Sequence, residues 1–464
     1  MSEINLTDAK LEIVSAHGSF DLLNHLSELV IYENIFRPAL TATLILRDAK
    51  NLPYKLPIVG EEVFNIDIGS KTFENKAIRI KPPPLHVNSI KDREIVKPKS
   101  QIIALELVSE KFMSDSHAKV SRSYKDKKIS EIVTDIHNTY LDDGNDLYVE
   151  KTKNIERCII PNMSPIDAIK WLSMRAIPDA LNRNVNYLFY ETISGSFFVS
   201  INSLLEIPPT FICMFKPRIE DSRDDTAIAS QLIPIDTLTF RNTFNKYQNT
   251  KRGVYASKLI THDIVKKKII QHENNYMVNW IQNNHLGKWP PLSGANVETK
   301  SASVNRTSFA PPKENFKPIV NENILGCMID SRVEFYPKHD KMYCTWTGDS
   351  YDNKAEEWKL QRNSIGLFQN LNIYVEGPGV SSVRVGQLIH LKIPSTETTD
   401  GDKMSDVGFD KSLSGTFMIT AIKHIFSRES TDGTYIEYRM GLELSKDGSE
   451  EKVPYRQSTN ERFL

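Results

Sequence analysis

The stretches Phe417-Met-Ile-Thr-Ala-Ile-Lys-His-Ile-Phe426 and Thr434-Tyr-Ile-Glu-Tyr-Arg-Met-Gly-Leu-Glu-Leu444 decide the fold. Both are rich in β-branched and aromatic residues, and the connector between them carries the Asp432-Gly433 turn signal. Side chains alternate along a strand, so Ile436, Tyr438, Met440, Leu442 and Leu444 share one face of the second run. Tyr435, Glu437, Arg439 and Glu443 share the other. One face reads as core and the other as a surface for water or a partner. Neither run carries recognisable site chemistry.

The same alternation opens the chain. Leu40, Ala42, Leu44 and Leu46 alternate with Thr41, Thr43 and Ile45; Phe64, Ile66 and Ile68 follow, then Ile103, Leu105 and Leu107. Residues 1–112 therefore read as a first antiparallel barrel or sandwich. Lys81-Pro-Pro-Pro-Leu85 and the charged run to Lys99 read as an exposed loop, because proline removes ladder donors. The period then changes. Ile129, Ile132, Val133, Ile136 and Tyr140 form the stripe of an amphipathic helix. A second helix starts at Asn162-Met-Ser-Pro-Ile-Asp167, with Ser164 as N-cap and Pro165 at the first helical position. A hairpin around Ser194-Gly195 closes an α+β domain over 113–206. Residues 207–245 return to β composition, Trp289 to Lys317 reads as an extended surface loop, and Lys354 to Gln369 reads as helical. Asn372–Glu376, Gly386–Ile393 and the two opening runs make the last β unit, interrupted by a polar excursion from Ser395 to Ser412.

Composition sets the bounds. With 464 residues, 25% charged and 40% hydrophobic, the chain is expected to be soluble and globular, long enough for about three or four domains. Lys and Arg number 58 against 59 acidic residues, which argues against a dedicated nucleic-acid binder. The N-terminus lacks a positive and an apolar signal region, and no run approaches a membrane span, so neither export nor stable membrane insertion is expected. Cys158, Cys213, Cys327 and Cys344 lie far apart in apolar or aromatic contexts, as reduced buried thiols do.

The search for chemistry returns little. There is no phosphate-binding glycine loop, HExxH, CxxC or GxSxG. Asp142-Asp-Gly-Asn-Asp146 and Asp400-Gly-Asp402 lack the ligand spacing of a calcium loop and read as solvated turns. His262-Asp263 and His272-Glu273 are neighbours on strands and point to opposite faces. Glu356-Glu357 suits the first turn of a helix without any catalysis. Lys266–Lys268 and Lys125–Lys128 read as solvated faces, and Trp289, Trp346 and Trp358 as core or interface anchors rather than a sugar site. No catalytic, cofactor-binding or metal-binding residue is assigned, no cofactor is expected, and no interface residue is named.

Several segments resemble the central baseplate hub protein of contractile-tailed bacteriophages, whose relatives include the N-terminal part of type VI secretion spike proteins. They are Leu40 to Leu46 with Pro57-Ile-Val-Gly-Glu-Glu62; the helix with Ile159-Ile-Pro-Asn-Met-Ser-Pro165; Gly253-Val-Tyr-Ala-Ser-Lys-Leu259 with Asp263; and Gly386-Gln-Leu-Ile to Leu444. None is specific alone; their order carries the resemblance, and 286–320 and 395–412 have no counterpart in it. The resemblance implies a mainly β chain with α+β inserts: two similar antiparallel, tube-like β-barrels plus two peripheral α+β domains. The barrels would occupy 1–112 and, discontinuously, 207–245 with 372–446; 113–206 and 246–371 would be the peripheral domains and 447–464 a C-terminal tail. It further implies a non-enzymatic homotrimer in the virion tail baseplate, assembled in the host cytoplasm. Six barrels in a pseudo-sixfold ring would meet the tail tube protein, the central spike protein, wedge proteins and a tape measure protein. Genomic DNA would pass without specific binding. A tail-associated cell-wall or capsule hydrolase and a carbohydrate- or receptor-binding tail module are the alternatives.

Overall fold

The computed structural model describes the chain apart from residues 1, 6–8, 17, 57, 72–76, 98–99, 154, 180–184, 216–231, 243, 276–279, 281–282, 291–331, 339–354, 362–364, 367, 369–370, 396–408, 411–412, 429–434 and 452–464. A 16-stranded sheet forms the body of the molecule and wraps two hydrophobic cores. Ala9–Ser15, Leu26–Asn34, Thr41–Asp48, Val63–Lys71 and Ser100–Ser109 enclose the first. Its centre is built from the residues whose alternation marks them: Leu40, Ala42, Leu44 and Leu46, Phe64, Ile66 and Ile68, and Ile103, Leu105 and Leu107 are all buried. Leu371–Pro378, Leu388–Lys392 and Phe211–Phe215 enclose the second, around Ile373, Val375, Leu391, Phe417 and Leu444.

The strands Gly415–Ser427 and Tyr435–Lys446 belong to both cores. Phe417, Met418, Ile419, Met440, Leu442 and Leu444 point into the second core, whereas Phe426, Ile436 and Tyr438 point into the first. Gly415–Ser427 pairs at the same time with Leu26–Asn34, His424 opposite Ile31 and Phe426 opposite Leu29. The two barrels are thus one hydrogen-bonded sheet with two interiors. The turn expected at Asp432-Gly433 falls outside the described residues.

The chain is mainly β with α+β units at its periphery, as the resemblance implies, and among the described residues its body strands are antiparallel with one exception. Phe211–Phe215 runs parallel to both neighbours, Leu232–Ile235 and Leu388–Lys392. Parallel pairing needs a long connection, and 16 residues separate Phe215 from Leu232.

The expected loop from Lys81 to Lys99 is corrected. Leu85–Lys97 is a strand of 13 residues paired along the edge of Ser100–Ser109, with three register shifts. Only Lys81 to Pro84 lie before the ladder. Beyond Leu85 and His86, opposite Phe64 and Val63, and the Val87 N–H donating to Glu62 O at 3.2 Å, nothing pairs with the strand's second edge among the described residues. Charge along such an edge discourages pairing with another chain, which is why the run looks loop-like in sequence.

Two smaller units flank the body. In the first, the stripe Ile129, Ile132, Val133 and Ile136 of helix Ile129–Tyr140 packs with Ile166, Ile169 and Leu172 of helix Pro165–Ser173. Ser164 caps the latter as its sequence indicates, its Oγ accepting the Asp167 N–H at 3.3 Å. In the second, strands Ala256–Asp263, Lys268–Asn275 and Val333–Pro337 form a sheet against helix Ala355–Gln361. Within the run expected from Lys354 to Gln369, Ala355–Gln361 is the helix, Ile365, Gly366 and Phe368 lie in 3-10 turns, and the rest falls outside the described residues. The loop expected from Trp289 and the excursion from Ser395 lie largely outside the described residues.

Candidate functional site

The outward faces of the shared strands meet in a shallow polar hollow of about 550 Å³, lined by Tyr32, Arg37, Thr41, Lys91, Glu106, Arg241, Tyr374, Lys423 and Glu443. Its walls come from both barrels. Charges of opposite sign are interleaved: Arg241 Nη1 lies 3.7 Å from Glu443, and its guanidinium sits 4.5 Å from the centre of the Tyr374 ring. Lys91 Nζ lies 3.8 Å from Glu106. Burial, and the Glu376 carboxylate that accepts the Tyr374 hydroxyl at 2.6 Å, push the phenol well above its usual range. Arg439, on the same outward phase, lies 3.7 Å from Asp236. Such a surface suits contact with protein or water.

A second hollow, of about 690 Å³, opens beside Leu205, Pro208, His285, His390, Thr416 and Glu450. His285 Nδ1 lies 2.6 Å from Asp447 Oδ2, and its ring stacks on Trp280 at 3.5 Å. Burial first, then the Lys392 charge, holds the His390 imidazole below its usual range. Histidine and carboxylate here tie the 280–289 segment to the end of Tyr435–Lys446.

Two polar clusters are buried where the first barrel meets its neighbours. Glu33 and His424 are fully enclosed: Glu33 Oε1 accepts the Ile193 N–H at 3.1 Å and lies 3.7 Å from His424 Nε2. His424 Nδ1 and Tyr438 Oη are 2.9 Å apart. In the other cluster, Lys111 Nζ lies 3.0 Å from Asp143 Oδ1 and 3.7 Å from Glu191 Oε1, and donates to Ser196 Oγ at 2.8 Å. Glu191 Oε2 accepts the Leu40 N–H at 2.9 Å, binding the hairpin of the α+β unit to the barrel. Desolvation holds the Glu191 carboxyl above the usual range, and the Lys111 ammonium pulls it back.

The expected site chemistry is dispersed. Asp142 to Asp146 does form a turn, with Gly144 N–H donating to Asp142, yet Asp143 is no solvated residue: its side chain is 1% exposed, on Lys111. Asp400 to Asp402 and Trp346 lie outside the described residues. His262 is exposed, while Asp263 is buried and accepts the N–H groups of Val265 and Lys266. His272 Nε2 lies 3.4 Å from Thr261 Oγ1. Glu356 accepts from Lys338 at 2.8 Å. Lys266 to Lys268 and Lys125 to Lys127 are exposed. Trp358 is buried edge-on to Tyr336, and Trp289 bridges Ser449 through its backbone. Cys158 and Cys213 are free and buried. Among the described residues no cluster of His, Cys, Asp or Glu is able to hold a metal, and no helix is long and apolar enough to cross a membrane.

No protein-family model matches the chain. No curated protein matches it in sequence. Solved structures do resemble it. A tail protein from Neisseria meningitidis aligns over 97% of this chain and 99% of its own, with a TM-score of 0.50 at 10% identity. The tail protein of prophage MuSo2 from Shewanella oneidensis aligns over 95% and 100%, with a TM-score of 0.47 at 8% identity. A chain of the Francisella PdpA-VgrG complex aligns over 98% of this chain and 60% of its own, with a TM-score of 0.44 at 10% identity. The first establishes a likeness of fold from end to end.

Proposed function

We propose that this chain is the central hub of a tail baseplate. It acts as a homotrimer whose two barrels per chain set six barrels in a pseudo-sixfold ring, joining the tail tube to the central spike and leaving a channel for DNA. The observation that carries this reading is the pair of barrel cores inside one continuous sheet, in a chain whose fold resembles a tail protein along its whole length. Two like units per chain reconcile a threefold spike with a sixfold tube by construction. Closed homo-oligomers use broad self-complementary surfaces, and the interleaved charges of the polar hollow offer one. The peripheral α+β domains splay outward to hold the spike and the wedge proteins, and the bore is neutral to acidic, so that DNA slides without phosphate binding. Virion localisation and a non-enzymatic role belong to the same reading.

The deciding measurement is the absolute mass in solution by light scattering, over a range of concentrations and with the spike protein added. The expected result is three times the 53.0 kDa chain, alone or with the spike. A monomer in both conditions overturns the hub and directs attention to cell-wall turnover or sugar binding.

A further inference from the structure

The cluster around Lys111 is more than an ion pair by its surroundings. Lys111 sits in the first turn of helix Glu110–His117, Asp143 in the turn after helix Ile129–Tyr140, and Glu191 on strand Tyr187–Thr192. Their side chains are 2%, 1% and 0% exposed. One ammonium thus faces two carboxyls with water excluded. Three ionised groups would leave a net charge of −1 inside the protein, an arrangement that burial opposes unless one carboxyl keeps its proton. Glu191 is the group held above its usual range, by burial. Its Oε2 is occupied by the Leu40 N–H, while Oε1, on the Lys111 side, has no hydrogen-bond partner. Asp143 is gripped on both oxygens: Asn145 N–H donates to Oδ1 at 3.1 Å and Asn145 Nδ2 to Oδ2 at 2.9 Å. Ser196 Oγ fixes the amine.

We propose that Lys111 and Asp143 condense into an intramolecular isopeptide bond, with Glu191 carrying the protons. The step opens with the Lys111 ammonium passing a proton across the 3.0 Å contact to Asp143 Oδ1, which leaves an amine facing an acid. Lys111 Nζ then attacks Asp143 Cγ, and the Asn145 donors steady the oxygen on which negative charge develops. Glu191 gives its proton to the departing hydroxyl and takes one from Nζ, the Cγ–O bond breaks, one water leaves, and Glu191 ends as it began. A C–N bond replaces a C–O bond; nothing is oxidised, and no co-reactant is needed. Groups fixed in contact react with effective concentrations on the order of 10⁵ M or more when well aligned. The product pins the α+β unit to the end of the first barrel by a covalent bond.

The test is the intact mass of the folded full chain after denaturation. The expected value is the sequence mass less one water, with proteolysis releasing a branched peptide joining Lys111 to Asp143. Glu191→Gln, which keeps an acceptor for the Leu40 N–H but carries no proton, is expected to show the full sequence mass. Full mass in the folded wild type overturns the proposal. So does a missing water without a branched peptide, since Asp143-Gly144 can also lose water to a succinimide that hydroxylamine cleaves. A wild-type bond that persists in Glu191→Gln removes Glu191 from the chemistry and overturns that part. The wild-type mass and its branched peptide together decide the bond, so a variant that fails to fold does not blunt the test.

Discussion

At the scale of single residues, the polar groups buried at the barrel's seams set the sharpest constraints. Gly379 lies against the Tyr438 ring, where an added Cβ would sit 2.3 Å from a ring carbon. Tyr438 cannot yield, because it stacks on Phe426 at 4.7 Å and meets His424 through its hydroxyl. Gly379→Ala is expected to cost about 1–3 kcal/mol through overpacking, read as a lower denaturant midpoint with an unchanged slope. His137 gives a pH signature. Burial first, and then the Lys111 charge, lowers its pKa from 6.5. A histidine with a depressed folded pKa binds its proton more readily when unfolded, so this contribution is present above about 6.5 and is lost as pH falls below it. The midpoint of the wild type should drop between about pH 7 and 5, and His137→Gln should drop less. A parallel fall in both proteins counts against this assignment. Some of these residues were legible: Glu33 shares the inward phase of Leu29 and Ile31, and His424 that of Ile422 and Phe426, so polar residues at core positions were there to be seen. Asp143 was not. Its turn is local, but the lysine that buries it comes from a helix beyond any short-range pattern.

At the scale of elements, helix Pro165–Ser173 carries two caps. Besides Ser164 on Asp167, Asp115 Oδ1 accepts the Ile166 N–H at 2.6 Å. With a second acceptor in place, Ser164→Ala is expected near the low end of the usual range, about 0.5–1 kcal/mol. The Ser164→Ala, Asp115→Ala double variant should lose more than the sum of the singles, measured by a double-mutant cycle. Strands with one wet and one dry face were readable, because burial imprints a period of two on the sequence. Leu85–Lys97 was not, because its distal half exposes both faces and nothing imposes alternation on it. Nor were the parallel partners of Phe211–Phe215, since register between strands so distant in the chain leaves no local trace.

At the scale of the whole molecule, two interiors in one sheet predict cooperative loss. Leu442→Ala in the second core and Ile436→Ala in the first stand on the same strand. Each should cost about 2–5 kcal/mol, and each should shift one common unfolding transition. Hydrogen exchange in Thr41–Asp48 and in Leu371–Pro378 should rise together in either variant. Separate transitions for the two barrels would show the shared strands to be a hinge.

The strand pairing also sets a timetable. Ser2–Asn5 pairs with Tyr435–Tyr438, and Leu26–Asn34 with Gly415–Ser427. Chains leave the ribosome at roughly 5–20 residues per second, so the first barrel waits tens of seconds for the strands that close it. Through that interval its flank at Leu26–Asn34 is an open sheet edge. A nascent chain arrested before Gly415 should therefore be cut by protease within its first barrel, and should be held by chaperones that bind extended chain. Until Gly415–Ser427 and Tyr435–Lys446 emerge, the first barrel of the nascent chain has no closed wall.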